Sequence, residues 1–226
     1  MFYLIFLIIL FGSWFINNKL HSKIETYSKV PNSLGLSGSE TAKRMLSDHG
    51  IYDVKIISVE GILADHYNPV DKSINLSNQV YFGRSVASAA IAAHECGHAV
   101  QHSQAYSFLK LRSSLVPFVS ISSSYLQWIL LIGVLTIAVF PAILGIGIVL
   151  FGITTLFSFI TLPVEYDASN RALQWLEKTG LTAGEGYLMA KDALNWAART
   201  YVIAALASLT SLLHYVFLFL GNRNRS

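Results

Sequence analysis

The stretch "LIGVLTIAVFPAILGIGIVLFG" (residues 131–152) contains no charged residue and lies within the longest apolar region of the chain. Pro141 divides this region into two apolar blocks, residues 118–139 and 142–162. Each block is longer than the roughly 18 apolar residues that indicate a membrane-spanning helix rather than a buried core helix. The stretch therefore predicts two spanning helices that form a hairpin.

Two more apolar blocks, residues 2–16 and 202–220, lie near the ends of the chain. The composition agrees with a membrane protein, since 53% of the 226 residues are hydrophobic and 13% are charged, against roughly 45–50% and 25% in soluble domains. The first block lacks the basic start and the small-residue cleavage site of a secretory signal, so we expect an uncleaved anchor. The sequence predicts four spanning helices.

With four spans, residues 17–112 and 163–200 lie on the same side, because the hairpin returns the chain across the bilayer. These two polar segments contain every acidic residue, and every lysine and arginine except Arg223 and Arg225. The positive-inside rule then predicts that they face the cytoplasm. We expect the two segments to meet in space.

The longer polar segment has its own signals of secondary structure. Ser37 and Glu40 match a helical capping box that opens an amphipathic helix. The runs at residues 53–59 and 73–77 are rich in β-branched side chains and predict a small antiparallel sheet of two or three strands. Residues 85–106 contain no proline and many alanines, which is typical of a tightly packed helix.

The stretch "AAHECGHAVQH" (residues 92–102) lies in this last helix and contains an H-E-x-x-H pattern. Each residue of a helix turns by about 100°, so His94 and His98 lie on one face, one turn apart. Two imidazoles at this spacing can bind one metal ion, and Glu95 can reach a water molecule beside that ion without being a ligand. The pattern predicts a zinc site with Glu95 as general base; the alternative is a helix with incidental histidines.

Neighbouring residues are interpreted differently. Cys96 turns about 200° away from His94, so we expect a small buried apolar residue rather than a ligand. His102 is about 12 Å along the helix from His94, too far for both to bind one tetrahedral zinc ion. Gly97 costs about 1 kcal/mol relative to alanine in a helix, which predicts that another element approaches closely there.

A catalytic zinc ion usually takes three protein ligands, so the sequence must supply one more. The candidates on the same side are His21, His49, His66, the acids of residues 25–71, and the cluster at residues 163–173, which contains Glu165 and Asp167. Glu165 follows the hairpin and starts a predicted helix. A buried acid at that position needs a partner, and a cation would serve. The alternative is that Glu165 caps its helix or pairs with an arginine.

The residues above, together with "PVEYDASNRAL" (residues 163–173), resemble the putative neutral zinc metallopeptidases of bacterial membranes and, more distantly, the gluzincin membrane proteases. The resemblance extends to "LSGSETAKRML", "LADHYNP" and "INLSNQVYFGRSVAS", and so covers almost the whole chain. It implies that His94, His98 and Glu165 bind zinc and that Glu95 is the base.

The wider gluzincin pattern has an aspartate four residues after the glutamate ligand, where it supports a zinc histidine. Here Ser169 occupies that position, so we predict that Asp167 orients the histidine instead. His66 could line the substrate cleft or only stabilise a turn. Tyr201, at the entrance to the last span, could donate to the oxyanion of the reaction or only anchor the helix in the interface.

The expected fold is a mainly α membrane protein with about four transmembrane helices and a small α+β zincin-like domain, which has an H-E-x-x-H helix and a short antiparallel sheet. The predicted segments are an N-terminal transmembrane anchor (1–17), the zincin-like domain (18–112), a transmembrane hairpin (113–162), a helical segment with the third zinc ligand (163–200), and a C-terminal transmembrane helix and tail (201–226).

The sequence therefore predicts a multi-pass zinc metallopeptidase whose active site lies at the surface of the cell membrane and whose partners are the lipid bilayer and a peptide or membrane-protein substrate. The alternatives are a true intramembrane protease and a non-catalytic zinc-binding scaffold or receptor. A net charge of +3 without a clustered basic patch gives no indication of nucleic-acid binding. The oligomeric state is not indicated.

Overall fold

The computed structural model describes residues 2–61 and 63–223, which are mainly helical. Arg225 and the rest of the predicted tail at 224–226 lie outside the described residues. In chain order the elements are α1 (Phe2–Tyr27), α2 (Gly38–Asp48), β1 (Lys55–Val59), β2 (His66–Asn68), β3 (Ser73–Ser77), α3 (Asn78–Phe82), α4 (Val86–Ser103), α5 (Ser107–Leu135), α6 (Pro141–Thr179) and α7 (Glu185–Arg223).

Four of the described helices, α1, α5, α6 and α7, are long and apolar enough to cross a membrane, as judged by length and composition. This confirms the predicted class of a mainly α membrane protein. The helices are longer than the apolar blocks from which the spans were predicted, because helical hydrogen bonding does not end where the polarity of the side chains changes. For example, α6 continues as far as Thr179 and is followed by Gly180, whose φ of 68° suits the end of a helix.

The chain forms two compact units. The apolar unit comprises Met1–Phe15, Lys110–Leu162 and Thr200–Ser226, and the polar unit comprises Ile16–Leu109 and Pro163–Arg199. The polar unit therefore combines the two polar segments, and the prediction that they meet is confirmed.

Helix α4 lies in the middle of the core of the polar unit. Its alanines and valines are buried on most sides, as expected for a helix that is apolar around its circumference. They pack with Met45 of α2, Ile74 and Leu76 of β3, and Leu176 of α6. Small side chains on α4 let these neighbours approach closely, which makes α4 the rigid support of the site described below.

Helix α2 has the predicted capping box. The Ser37 side chain accepts a hydrogen bond from the Glu40 backbone N–H, and the Glu40 carboxylate accepts one from the Ser37 N–H. The predicted inward residues Ala42, Met45 and Leu46 are buried. The helix therefore contributes one wall of the core.

The predicted antiparallel sheet is wrong in one respect, because the three strands form a mixed sheet in the order β1–β3–β2. β2 and β3 are antiparallel, whereas β1 pairs with β3 in parallel. All five residues of β3 are buried, so its backbone groups need partners along both edges. β2 pairs with three residues of β3 on one edge, and β1 pairs with all five residues of β3 on the other edge.

Glu165 does not start a helix, contrary to the prediction. α6 continues through Pro163 without interruption, so Glu165 lies within the same helix as the predicted third span. A proline removes one helical hydrogen bond but is tolerated in helices supported by their surroundings. The candidate third ligand is thus carried by one continuous helix, of which the part from Pro163 onward belongs to the polar unit.

Candidate metal centre

Three side chains from α4 and α6 meet within the polar unit. His94, His98 and Glu165 each place one potential ligand atom so that all of these atoms lie within 4.8 Å of one another. The Nε2 atoms of His94 and His98 are 3.3 and 3.5 Å from Glu165 Oε2. The three side chains are 12%, 9% and 3% exposed, respectively. Among the residues that the structure describes, this is the group suited to hold a metal ion.

Gly97 explains how α6 comes close enough to complete this group. A Cβ atom at Gly97 would lie 2.5 Å from the carbonyl oxygen of Ala168 and 3.0 Å from its Cα. Ala168 is three residues after Glu165, one turn further along α6. The prediction that another element approaches at Gly97 is confirmed, and that element carries Glu165.

His98 is held by a side chain that the sequence analysis did not select. The His98 Nδ1 atom is 3.0 Å from Gln101 Oε1, three residues further along α4. The Gln101 Nε2 atom donates to the Val164 carbonyl oxygen and to the Asp167 carboxylate, each at 2.8 Å. Gln101 is completely buried. Its position at the next turn after the second histidine, on the same helix face, is the signal that could have identified it.

His94 is held by a different kind of group, since its Nδ1 atom is 3.1 Å from the Ser169 hydroxyl. Asp167, which was predicted to orient a histidine, contacts neither ring directly. Its carboxylate accepts hydrogen bonds from Gln101 Nε2 and, at 2.5 Å, from Arg171 Nε. Ser169 therefore supports His94, and Asp167 reaches His98 only through Gln101.

Glu95 lies beside the three-residue group and is 7% exposed. Its Oε2 atom accepts a hydrogen bond of 2.8 Å from the backbone N–H of Tyr67 in β2. Burial raises the pKa of the Glu95 carboxyl to about 7, and the charges of Glu165 and Asp65 act in the same direction, against the lowering effects of His94 and the Tyr67 N–H. A carboxyl group with a pKa near neutrality is well suited to accept a proton and release it again.

The arrangement on α4 and α6 agrees with comparisons of the sequence. Residues 2–220 match the protein family described as "Putative neutral zinc metallopeptidase". The chain belongs to this family. It is also 41% identical over 208 residues to the "Putative membrane protease YugP" of Bacillus subtilis (strain 168), with 92% of each chain covered. No solved structure matches the chain. The resemblance found in the sequence is confirmed at the level of the family.

Two other residues, His66 and Tyr201, were predicted to take part in the site. His66 is exposed at the start of β2, and its Nδ1 atom is 2.8 Å from the Ala64 carbonyl oxygen, which agrees with the turn-stabilising alternative. Tyr201 lies on α7 in the apolar unit, whereas the three-residue group lies in the polar unit. The predicted role of Tyr201 as an oxyanion donor stays a prediction.

The two remaining polar residues of the H-E-x-x-H region are placed as predicted. Cys96 is fully buried, and its Sγ atom faces the Ala42 carbonyl oxygen of α2 at 3.6 Å. His102 is exposed, with its Nδ1 atom 2.7 Å from the Tyr67 hydroxyl. Tyr67 connects these elements, because its backbone N–H contacts Glu95 and its side chain contacts His102. No sequence signal reveals the backbone contact, because it depends on how β2 lies against α4.

Proposed function

We propose that this protein is a zinc-dependent metalloendopeptidase of the cell membrane that hydrolyses peptide bonds with Glu95 as general base. The observation that carries the proposal is the convergence of His94, His98 and Glu165 from two helices, with the Glu95 carboxylate next to them. The family supports the metal and the reaction class. The roles of the individual residues are our assignment.

The chemistry and spacing of the donor atoms fit zinc. Two imidazole nitrogens and one carboxylate oxygen form a usual set of protein ligands for catalytic zinc, which leaves a fourth position open. With bonds of about 2.0–2.1 Å, a tetrahedron has edges of about 3.3–3.4 Å. The Nε2–Oε2 distances of 3.3 and 3.5 Å are close to these edges. Since all three donor atoms lie within 4.8 Å of one another, His94, His98 and Glu165 would hold the ion once the donors draw together to these edges.

Zinc, when bound, supplies Lewis acidity that polarises the scissile carbonyl group and makes a water molecule acidic enough to attack it. Glu95 accepts the proton that this water loses and then donates it to the departing amine. The Tyr67 N–H keeps the Glu95 carboxylate in place for both transfers. Because Glu95 is buried, its proton is shielded from exchange with bulk solvent between the two steps.

A cavity in the polar unit offers space for part of a substrate. Its volume is about 210 Å³, and its lining includes Ala87 and Ile91 of α4, Ile24 of α1, and Asp65. Ala87, Ile91 and His94 are spaced four and three residues apart, so they lie on one face of α4. A peptide bound at His94 could therefore place a neighbouring side chain in this cavity.

We propose that the site faces the cytoplasm, close to the membrane surface. The charge distribution of the two polar segments supports this side. Glu165 is only three residues from Leu162, where the chain leaves the apolar unit, which supports a location near the membrane. The substrate would then be a membrane protein or a peptide near the bilayer.

The two alternatives make different predictions. An intramembrane protease would carry its H-E-x-x-H pattern on a spanning helix, but α4 is not among the four described helices suited to span. A scaffold or receptor would usually close its zinc site with four protein ligands, whereas three candidate ligands meet among the described residues. Both observations favour a peptidase with a site outside the hydrocarbon region.

The test of the proposed mechanism is Glu95→Gln in purified full-length protein. Glutamine keeps an oxygen that can accept the Tyr67 N–H but cannot act as a base, so zinc content should be unchanged and cleavage of a quenched fluorescent peptide library should fall about 10²–10⁴-fold. Glu60→Gln, on the exposed surface, is the control and should retain full activity. Unchanged cleavage by the Glu95→Gln variant would rule out this mechanism.

A further inference from the structure

Gln101 is a buried amide that links the two helices of the metal centre. It lies on α4 and is 0% exposed. Its Nε2 atom reaches two acceptors on α6, the Val164 carbonyl oxygen and the Asp167 carboxylate. Val164 is adjacent to Glu165 in the sequence. A buried amide without hydrogen-bond partners would cost free energy of folding. Both the oxygen and the nitrogen of the Gln101 amide have a partner.

The contacts on α6 determine which end of the Gln101 side-chain amide is the oxygen and which is the NH₂ group. A carbonyl oxygen can only accept a hydrogen bond, so the NH₂ end must face Val164, and the Asp167 carboxylate favours the same orientation. The oxygen end of the amide then faces His98 Nδ1 at 3.0 Å. Because an amide oxygen is only an acceptor, His98 Nδ1 must carry the proton. The lone pair of the neutral ring is therefore on Nε2, the atom that lies 3.5 Å from Glu165 Oε2.

Asp167 and Arg171 extend this link. Arg171 Nε donates to Asp167 Oδ2 at 2.5 Å, and Arg171 Nη1 donates to Gln104 Oε1 at 2.7 Å. The chain of contacts thus begins at His98 on α4, passes through Gln101 to α6, and returns to the residue after α4. The carboxylate that holds Gln101 is itself held by a cation.

We propose that Gln101 is a positioning residue that selects the metal-binding tautomer of His98 and ties its orientation to the helix that carries Glu165. This rests on the proposed zinc site. His94 is supported differently, because the Ser169 hydroxyl can either donate or accept and so does not select a tautomer. The two histidines are therefore held unequally, and His98 depends on Gln101 more than His94 depends on Ser169.

The experiment compares Gln101→Met, Asp167→Ala and Ser169→Ala with the wild type in purified full-length protein. Zinc affinity is measured by competition with a chromophoric chelator. The histidine tautomers of the zinc-free protein are measured by long-range ¹H–¹⁵N NMR after histidine-selective ¹⁵N labelling, with His98→Asn used to assign the signal. Asp167 is 30% exposed in its side chain, so its variant should fold even if Gln101→Met does not.

The wild type should show His98 with its proton on Nδ1. Gln101→Met should shift His98 towards the other tautomer and weaken zinc binding about 10–100-fold, the usual range for partners of metal ligands. Asp167→Ala should weaken zinc binding by a smaller factor, and Ser169→Ala should leave the His98 tautomer unchanged.

Two results would overturn the inference. One is a wild-type His98 that carries its proton on Nε2. The other is zinc affinity that stays at the wild-type value in both folded Gln101→Met and folded Asp167→Ala. Failure of the proposed function gives a different result, in which the wild type binds zinc and cleaves no peptide while the differences in affinity and tautomer remain.

Discussion

The Glu165 carboxylate brings a negative charge into a site that is almost closed to solvent, with a side-chain exposure of 3%. Two imidazole Nε2 atoms face the same oxygen. A neutral amide of the same size would keep the packing but would be a much weaker metal ligand. The charge and the donor character of this one residue are therefore decisive for the proposed metal site.

Replacement of Glu165 by glutamine should lower the zinc content of the purified protein from one ion per chain to a small fraction of that value. Peptide cleavage should be lost in parallel. Glu177→Gln changes the same chemical group at an exposed position of the same helix and should keep both. The measurement is zinc per chain by elemental mass spectrometry. Full zinc occupancy in the Glu165→Gln variant would exclude Glu165 as a ligand.

For single residues, the sequence predicted a role correctly where that role follows from spacing along one helix. The four-residue interval places His94 and His98 together, and the same geometry correctly turned Cys96 away from them and into the core. Gln101 was missed because its position one turn after His98 indicates only that it lies on the same face of α4. Its role depends on acceptors from α6, which spacing along α4 does not reveal.

Among the secondary-structure elements, the contact between α4 and α6 is the one that assembles the site. Gly97 allows the backbone of α6 to approach at Ala168, and this approach places Glu165 opposite the two histidines. An added methyl group at Gly97 would have to push against backbone atoms, which cannot rotate away as a side chain can.

Gly97→Ala should therefore destabilise the protein by about 1–3 kcal/mol, the usual cost of overpacking, and should weaken zinc binding because the two helices move apart. The control is Gly152→Ala in α6, where an added Cβ would meet no atom within 4 Å; its stability should be unchanged or slightly higher. Thermal unfolding in detergent, with and without zinc, measures both effects. Equal stability of the two variants would contradict the close contact.

Two features of the secondary structure were predicted wrongly. Strand runs at residues 53–59 and 73–77 were found correctly from their side chains, but the direction of their pairing was not. Neighbouring strands along a chain favour a hairpin, whereas β3 is buried throughout and requires a partner on each edge. Likewise, Glu165 was predicted to start a helix, but α6 continues through Pro163 without interruption.

In the whole molecule, four crossings require that the two polar segments lie on one side of the membrane and that the turn between α5 and α6 lies on the other. The four long apolar helices provide the required number of crossings. The apolar blocks made these four helices predictable, because length and polarity alone determine whether a helix can span. The helix ends were not predictable in the same way, because they depend on helix-terminating residues such as Gly180 rather than on polarity.

Single cysteines at two exposed positions test this topology. Val70 follows β2 and is 88% exposed, and Val139 precedes α6 and is 71% exposed. In intact cells, a membrane-impermeant maleimide should label Val139→Cys, and should label Val70→Cys only after permeabilisation. The wild type is the control, because its single cysteine, Cys96, is buried. Labelling of both variants from one side would contradict four crossings, and the reverse pattern would contradict a cytoplasmic site.

Removal and restoration of the metal test whether this chain is a zinc-dependent peptidase. Purified full-length protein is treated with a chelator, the chelator is removed, and zinc is titrated back while cleavage of the peptide library and bound zinc are measured together. We expect no cleavage by the stripped protein and full recovery at one zinc ion per chain, with no recovery in the Glu95→Gln variant. Cleavage that persists without metal, or that does not return as zinc binds, would contradict a zinc-dependent peptidase.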